Sequence, residues 1–186
     1  MHTTIINNYI KKHSYKSYLE IGMGDGKNFK EIKCLYKIGV DPDKNAIGAT
    51  HKITSDEFFS NNELFYDIIF VDGLHEHEQV NRDIENSLKY LSEDGIIVVH
   101  DCLPSREIEQ IVPRISKTWT GDVWKSWVHF RSSESLMMYV FDIDHGIGII
   151  KRGKQTPLHI NQVDLTWSNF EINKNEWLNI IDFPMI

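Results

Sequence analysis

Four apolar runs in this chain end in groups that can do chemistry. Ser17-Tyr18-Leu19-Glu20-Ile21 runs into the turn Gly22-Met23-Gly24-Asp25-Gly26, and three further runs close on Asp41, Asp72 and Asp101. Packing does not ask for acids at these points. Each acid taken singly also reads as a helix N-cap, but four endings of this kind favour one shared ligand edge. Gly22, Gly24 and Gly26 let backbone approach a ligand closely. Their spacing is GxGxG, not the GxGxxG of dinucleotide folds. Glu20 and Asp25 make the loop acidic, which suits a cation better than a pyrophosphate, the usual guest of bare amides and a helix dipole. Asp41 follows about 20 residues on, where an acid can hold two ribose hydroxyls. A nucleoside carrying an amino-acid group and a sulfonium meets all of these conditions.

Two histidines stand beside the acids. His75 comes just after Asp72 at the start of a helix, and His100 directly precedes Asp101. An imidazole with a near-neutral pKa can take a hydroxyl proton, and a divalent cation lowers the hydroxyl's own pKa. The plain alternative for His75 is a solvated loop histidine. His75-Glu76-His77 with His100-Asp101 also admits a zinc or iron hydrolase. That pair would chelate from a strand; here it opens a helix, where the rings diverge. Further on, Gly121-Asp122-Val123-Trp124-Lys125 reads as a substrate wall, with Trp124 on a sugar face and Lys125 on a phosphate or carboxylate. It reads equally as a helix start with Trp124 and Trp127 in the core. Arg106 and Arg114 are candidates for an anionic acceptor. Cys102 reads as a packed thiol, and Asp142, Asp144 and His145 as turn residues.

The elements that must position these groups alternate strand, turn and helix. Strands are expected at Ser17 to Ile21, Tyr36 to Asp41 (closed by Pro42), Asp67 to Asp72 and Gly95 to Asp101. Helices are expected over Asn28 to Leu35, and from Val80 to Leu91 with Val80, Ile84, Leu88 and Leu91 on one face. Glu93-Asp94-Gly95 is expected to break that second helix. Ile5, Ile6, Tyr9 and Ile10 mark a short amphipathic helix at the start. Continuous apolar strands alternating with helices predict a parallel sheet covered on both faces, with ligands beyond the carboxyl ends of its strands. Leu136 to Phe141 and Ile147 to Lys151 predict an antiparallel hairpin. The stretch from Thr156 to Ile186 holds Trp167, Phe170, Trp177, Leu178, Ile180, Ile181 and Phe183, and is too apolar for a free tail. The expected layout is one domain over 1–186: an N-terminal helix over 1–14, a core over 15–151 and a docked extension over 152–186.

Composition narrows the classes. The chain has 186 residues, 41% of them hydrophobic, enough for a core. A net charge of −7 argues against a nucleic-acid partner. Two cysteines exclude a disulfide scaffold and point to the cytoplasm. The longest apolar run, Leu136 to Phe141, cannot span a membrane, and no signal peptide is read.

Glu20 to Gly26, Gly39-Val40-Asp41-Pro42-Asp43, Thr54 to Phe59 and Phe70 to His75 together resemble the ordered motifs of class I S-adenosylmethionine-dependent methyltransferases. Asp72-Gly73-Leu74-His75 followed by Gly95 to Asp101 resembles the small-molecule branch that holds sugar and macrolide-sugar O-methyltransferases. The resemblance covers about residues 15 to 150. It implies a Rossmann-like, doubly wound α/β sheet, mostly parallel, with a C-terminal antiparallel hairpin. It implies S-adenosylmethionine as cofactor, with Glu20, Gly22, Gly24, Gly26 and Asp72 toward its methionine end. Asp41 would sit on the ribose, Pro42 against the adenine, and Ser55 and Asp56 at the adenine edge. It further implies His75 as general base and Asp72 with Asp101 as ligands for Mg2+ or another divalent cation; His100, outside that pattern, reads instead as a second base or a substrate contact. The acceptor would be a small molecule, a sugar or glycan precursor. One departure stands out: His100 occupies a position where an acid is expected, and imidazole favours transition metals over magnesium. Two alternatives are an NAD-dependent oxidoreductase and a non-catalytic subunit that keeps the cofactor fold. A homo-oligomer, with the apolar tail at its contact, is also consistent with the chain.

Overall fold

The computed structural model describes residues 1–183. Pro184, Met185 and Ile186, the end of the expected extension, lie outside the described residues. The chain forms two compact units. One comprises Met1–Leu74 and Gln79–Val98; the other comprises His75–Glu78 and the chain from Val99 onward.

The first unit opens with α1 (His2–His13), which buries Ile5, Ile6 and Ile10. It is the expected amphipathic helix. Its strands are β1 (Ser17–Ile21), β2 (Tyr36–Val40), β3 (Tyr66–Val71) and most of β4 (Leu91–Val99), in the spatial order β2-β1-β3-β4. β1 pairs in parallel with β2, from Ser17↔Tyr36 to Ile21↔Val40, and with β3, from Tyr18↔Ile68 to Ile21↔Val71. The chain therefore leaves β1 to one side for β2 and returns to its other side for β3. Such a reversal opens a crevice at the carboxyl ends of the two inner strands. Leu19, Ile68, Ile69, Phe70 and Ile97 are fully buried, as strands covered on both faces require.

Two expectations in this unit need correction. The helix expected over Asn28 to Leu35 is only α2 (Lys27–Glu31), and Ile32 is extended. Groups from elsewhere claim its last turn. The Asn7 side chain donates to the Glu31 carbonyl and accepts from the Lys33 amide, while the Lys37 ammonium donates to the Phe29 and Ile32 carbonyls. The second correction concerns Glu93-Asp94-Gly95. These residues lie inside β4, which starts at Leu91, and α4 (His77–Lys89) has already ended. Leu91 is buried and anchors the strand, with Glu93 and Asp94 exposed at its outer end.

The second unit holds the predicted hairpin: β5 (Leu136–Phe141) pairs antiparallel with β6 (Ile147–Arg152). β7 (Ile180–Ile181) adds in parallel to β5. α5 (Val123–Phe130) packs on α6 (Trp167–Leu178), with the Trp124 and Phe170 ring centroids 4.6 Å apart. The Trp127 indole donates to the Leu178 carbonyl at 3.1 Å. Both tryptophans are wholly buried. Trp124 is thus core and cannot be a wall for a sugar, because α6 covers it.

Gly148 shows how tightly this core is filled. A Cβ there would stand 2.2 Å from Trp127 Cζ3 and 2.9 Å from Cys102 Sγ. Gly148→Ala is therefore expected to cost about 1–3 kcal/mol. Urea denaturation should show a lowered midpoint at unchanged slope.

Candidate functional site

The crevice in the first unit is a cavity of about 410 Å³, within the usual range of roughly 300–1,000 Å³ for small-molecule sites. Its wall includes Gly22 and Gly24 after β1, Asp41 and Pro42 after β2, and Asp72, Gly73 and Leu74 after β3. Thr54, Ser55, Gln79 and Asp83 complete the opposite side. Gly22 has φ +84°, and a Cβ there would lie 2.1 Å from the Asp72 carbonyl oxygen. Only glycine fits, because the two strand ends touch through backbone: the Asp72 amide donates to the Ile21 carbonyl at 2.9 Å.

Asp41 organises the glycine loop. Its Oδ2 accepts from the Met23 amide at 2.8 Å and the Gly24 amide at 3.3 Å, and its Oδ1 accepts from the Asp43 amide at 2.8 Å. A carboxylate offers about four lone-pair positions, so acceptor capacity remains for a ligand hydroxyl. The wall carries Asp41, Asp72 and Asp83 and no lysine or arginine. That set of acceptors fits a cationic nucleoside and is a poor match for a pyrophosphate, which speaks against NAD.

Not every expected residue reaches the wall. Gly26 is buried outside it, under the Ile47 carbonyl. Asp56 is exposed and pairs with Arg82 at 3.2 Å. Glu20 is buried, and its Oε2 accepts from the Tyr18 hydroxyl at 2.5 Å and the Asn28 amide at 2.9 Å. Burial pushes its carboxyl up to about 7 despite those hydrogen bonds. Sequence reasoning missed Asp83 and Gln79. They are one helical turn apart on α4, and Asp83 interrupts the buried face of Val80, Ile84 and Ser87. An acid on an apolar helix face was the available signal.

The second unit holds His75, His77, His100 and Asp101. Asp101 is buried just beyond β4 and adopts φ +59°, an uncommon backbone for a non-glycine residue and a mark of functional sites. Its Oδ2 lies 3.1 Å from His75 Nδ1 and 3.5 Å from His100 Nδ1. His75 Nδ1 also faces the Trp119 carbonyl at 3.4 Å, and the two rings stack at 5.3 Å. Both neighbours of Nδ1 are acceptors, so the neutral ring carries its proton there and its lone pair on Nε2. His77 is held separately: Nδ1 bonds Asp122 Oδ2 at 2.7 Å, and its amide donates to Asp122 Oδ1 at 2.7 Å. Asp122 thus supplies the side-chain cap for the first residue of α4.

The remaining basic candidates are engaged locally. Lys125 pairs with Asp122 at 3.2 Å, Arg106 with Glu109 at 2.8 Å, and Arg114 Nε donates to the Ser116 carbonyl at 3.0 Å. Cys102 is fully buried, and burial raises its thiol well above the ordinary range, so it is a packed thiol.

Residues 37–102 match the family model described as a methyltransferase domain. Among curated proteins no sequence match is found. The SAH-bound methyltransferase PaMTH1 of Podospora anserina superposes with a TM-score of 0.62 at 14% identity, over 82% of this chain and 78% of that one. The O-methyltransferase of Bacillus cereus, in complex with SAH, gives 0.61 at 10% identity over 81% and 80%. MycE of the mycinamycin biosynthetic pathway, in complex with Mg, SAH and mycinamycin VI, gives 0.53 at 15% identity; this chain covers 87% of itself and 50% of that protein. At such identities the likeness is one of fold, the Rossmann-like α/β fold of class I methyltransferases. The methyltransferase-domain match lies on that fold over residues 37–102.

Glu20, buried beside the wall residue Ile21, yields a test of its own charge state. Its folded pKa lies above the ordinary value of 4.5, so its contribution to stability is full below pH 4.5 and is lost as pH rises through about 7. Glu20→Gln keeps an acceptor for Tyr18 and Asn28 without the charge. Its stability relative to the parent should rise across that window by about 3 kcal/mol and then level off. Denaturation midpoints at pH 4, 6 and 8 read this directly.

Proposed function

We propose that this protein transfers a methyl group from S-adenosylmethionine to a hydroxyl of a small molecule, with a sugar or glycan precursor as the acceptor class. The observation that carries the reading is the cavity wall, which joins the glycine loop to Asp41 and holds acids without a basic residue. Asp41 accepts a ribose hydroxyl while holding the loop, Pro42 stands against the adenine, and Ser55 meets its edge. The Gly22 and Gly24 backbone with Asp72 receives the methionine end, where a carboxylate complements an ammonium group. When bound, the cofactor supplies an electrophilic methyl on a sulfonium.

His75 follows Leu74, a residue of the cavity wall, directly in the chain. Its Nε2 would take the hydroxyl proton as the oxygen bonds the methyl carbon and the carbon–sulfur bond breaks, with S-adenosylhomocysteine as the leaving group. Asp101, 3.1 Å from Nδ1, stabilises the imidazolium that results. His100, on the other side of the same carboxylate, is a second substrate contact. Positioning then supplies most of the remaining rate. The acceptor class rests on the O-methyltransferase and macrolide-pathway neighbours and on the sequence motifs. A divalent cation at Asp101 is a second reading, favoured by the strained, buried carboxylate and by the magnesium in MycE. The two imidazoles at Asp101 suit a transition metal better than magnesium.

Calorimetric titration with S-adenosylmethionine and S-adenosylhomocysteine, each with magnesium or EDTA, tests the reading. Micromolar binding is expected, and no binding in any condition would overturn it. His75→Gln should leave S-adenosylhomocysteine affinity unchanged. It should also slow label transfer from methyl-tritiated cofactor to a panel of glycosides and sugar nucleotides by about 100-fold or more.

A further inference from the structure

One wall of the cavity is a chain of side-chain hydrogen bonds whose direction is fixed at every link. It starts at Arg82, which has donors only. Arg82 Nε donates to Asp56 Oδ2 at 3.2 Å, and its Nη2 donates to Gln79 Oε1. Because arginine cannot accept, the Gln79 atom that faces it is the oxygen, and the amide nitrogen must face the other way. That nitrogen lies 3.0 Å from Asp83 Oδ1 and 3.2 Å from Ser55 Oγ. Asp83 Oδ1 is therefore an acceptor. Ser55 Oγ, 2.5 Å from the same oxygen, has to spend its single proton on it.

The consequence falls on Ser55. A serine hydroxyl has one proton and two lone pairs. The proton goes to Asp83, and Gln79, whose two amide hydrogens also face Asp83 and Asp56, takes at most one lone pair, which leaves at least one. Ser55 and Asp83 are both buried, at 8% and 1% exposure, so water does not readily rearrange the set. Ser55 meets the cavity as an acceptor only.

We infer that Asp83 and Gln79 are positioning residues that make Ser55 an acceptor-only reader, so that the cavity selects a 6-aminopurine nucleoside over its 6-oxo counterpart. An exocyclic amine donates to the remaining lone pair. A purine carbonyl at the same place would set two acceptors against each other inside a buried wall, and such a mismatch is strongly disfavoured. Neither residue touches the ligand's reacting end; both act through Ser55. The inference rests on reading this cavity as the cofactor site.

The test compares S-adenosylhomocysteine with S-inosylhomocysteine by calorimetry, using the full chain. The parent should prefer the amino compound by roughly 10- to 100-fold. Asp83→Ala releases the serine proton to the cavity, and the preference should fall to within about threefold. Asp83→Asn is the conservative rescue. Both contacts use one oxygen, so an amide oxygen in its place keeps the direction of the chain and the preference. Ser55→Ala removes the reader, with little risk to folding, and should also collapse the ratio. A parent that binds both compounds equally, or an Asp83→Ala or Ser55→Ala protein that binds and keeps the parental ratio, would overturn the inference. A parent that binds neither compound would instead overturn the cofactor reading on which it rests.

Discussion

The first unit depends on one close approach of backbone to backbone. β1 and β3 are neighbours, and the chain beyond each turns away at the same level. The Asp72 amide reaches the Ile21 carbonyl, and Gly22 lies so near the Asp72 carbonyl that a methyl group has no room. This contact sets the depth of the crevice. It brings the glycine loop and the Asp72-Gly73-Leu74 segment onto one wall, and it follows from the strand order β2-β1-β3. The reversal of direction at β1 is what leaves the space. A side chain at Gly22 would push the two strand ends apart and remove the narrow end of the cavity.

Around that contact, carboxylates act mainly as organisers. Asp41 ties down the Met23 and Gly24 amides, Asp122 caps α4 and fixes a histidine tautomer, and Asp83 orders Ser55 and Gln79. Charge-assisted hydrogen bonds are short and directional, so Asp41 fixes the glycine loop while Asp122 and Asp83 hold helix residues. Asp41 and Asp83, with Asp72, give the cavity its negative character. One set of groups thus serves architecture and ligand choice, and its burial cost is lowered by the amides and hydroxyls it engages. Glu20 and Asp83 show what remains of that cost, since burial raises both carboxyls above their ordinary range.

Much of this was legible in the chain, and the reasons are local. Strand ends marked by Asp41, Asp72 and Asp101, the glycine turn and the β5–β6 hairpin are written in contiguous residues with period-two or turn chemistry. What was not legible depends on partners far away in sequence. Asn7 shortens α2, α6 buries Trp124, and Asp122 caps a helix that starts 45 residues earlier. Ser55 reads as a helix cap or an adenine contact, yet the cap of α3 (Ser55–Ser60) is Thr54, which accepts from the Glu57 amide. The Ser55 hydroxyl instead donates to Asp83, 28 residues on. Propensity and spacing carry no information about such pairs; only the topology brings them together.

The pair His75 and His77 shows why geometry decides between chemistries that composition leaves open. As a motif, His-Glu-His suits a metal chelate as well as a general base. In the second unit each ring has its own carboxylate: His75 faces Asp101, and His77 bonds Asp122. A chelate asks two imidazoles to turn toward one point, whereas here each is turned by its Nδ1 toward a different acid. A carboxylate on Nδ1 fixes the tautomer for a proton acceptor and for a metal-ligating imidazole alike, so it is the two separate acids that argue against a chelate by this pair. The two differ in what else holds them. His77 is bound through its backbone as well as its ring, so moving it would also uncap a helix. The His75 ring meets a carboxylate, a carbonyl and a stacked indole, and its own carbonyl accepts from the Asp122 amide at 3.1 Å. Both histidines are thus tied through backbone and ring, and what separates them is the acid each ring meets: Asp122 also caps α4, whereas Asp101 is shared by His75 and His100.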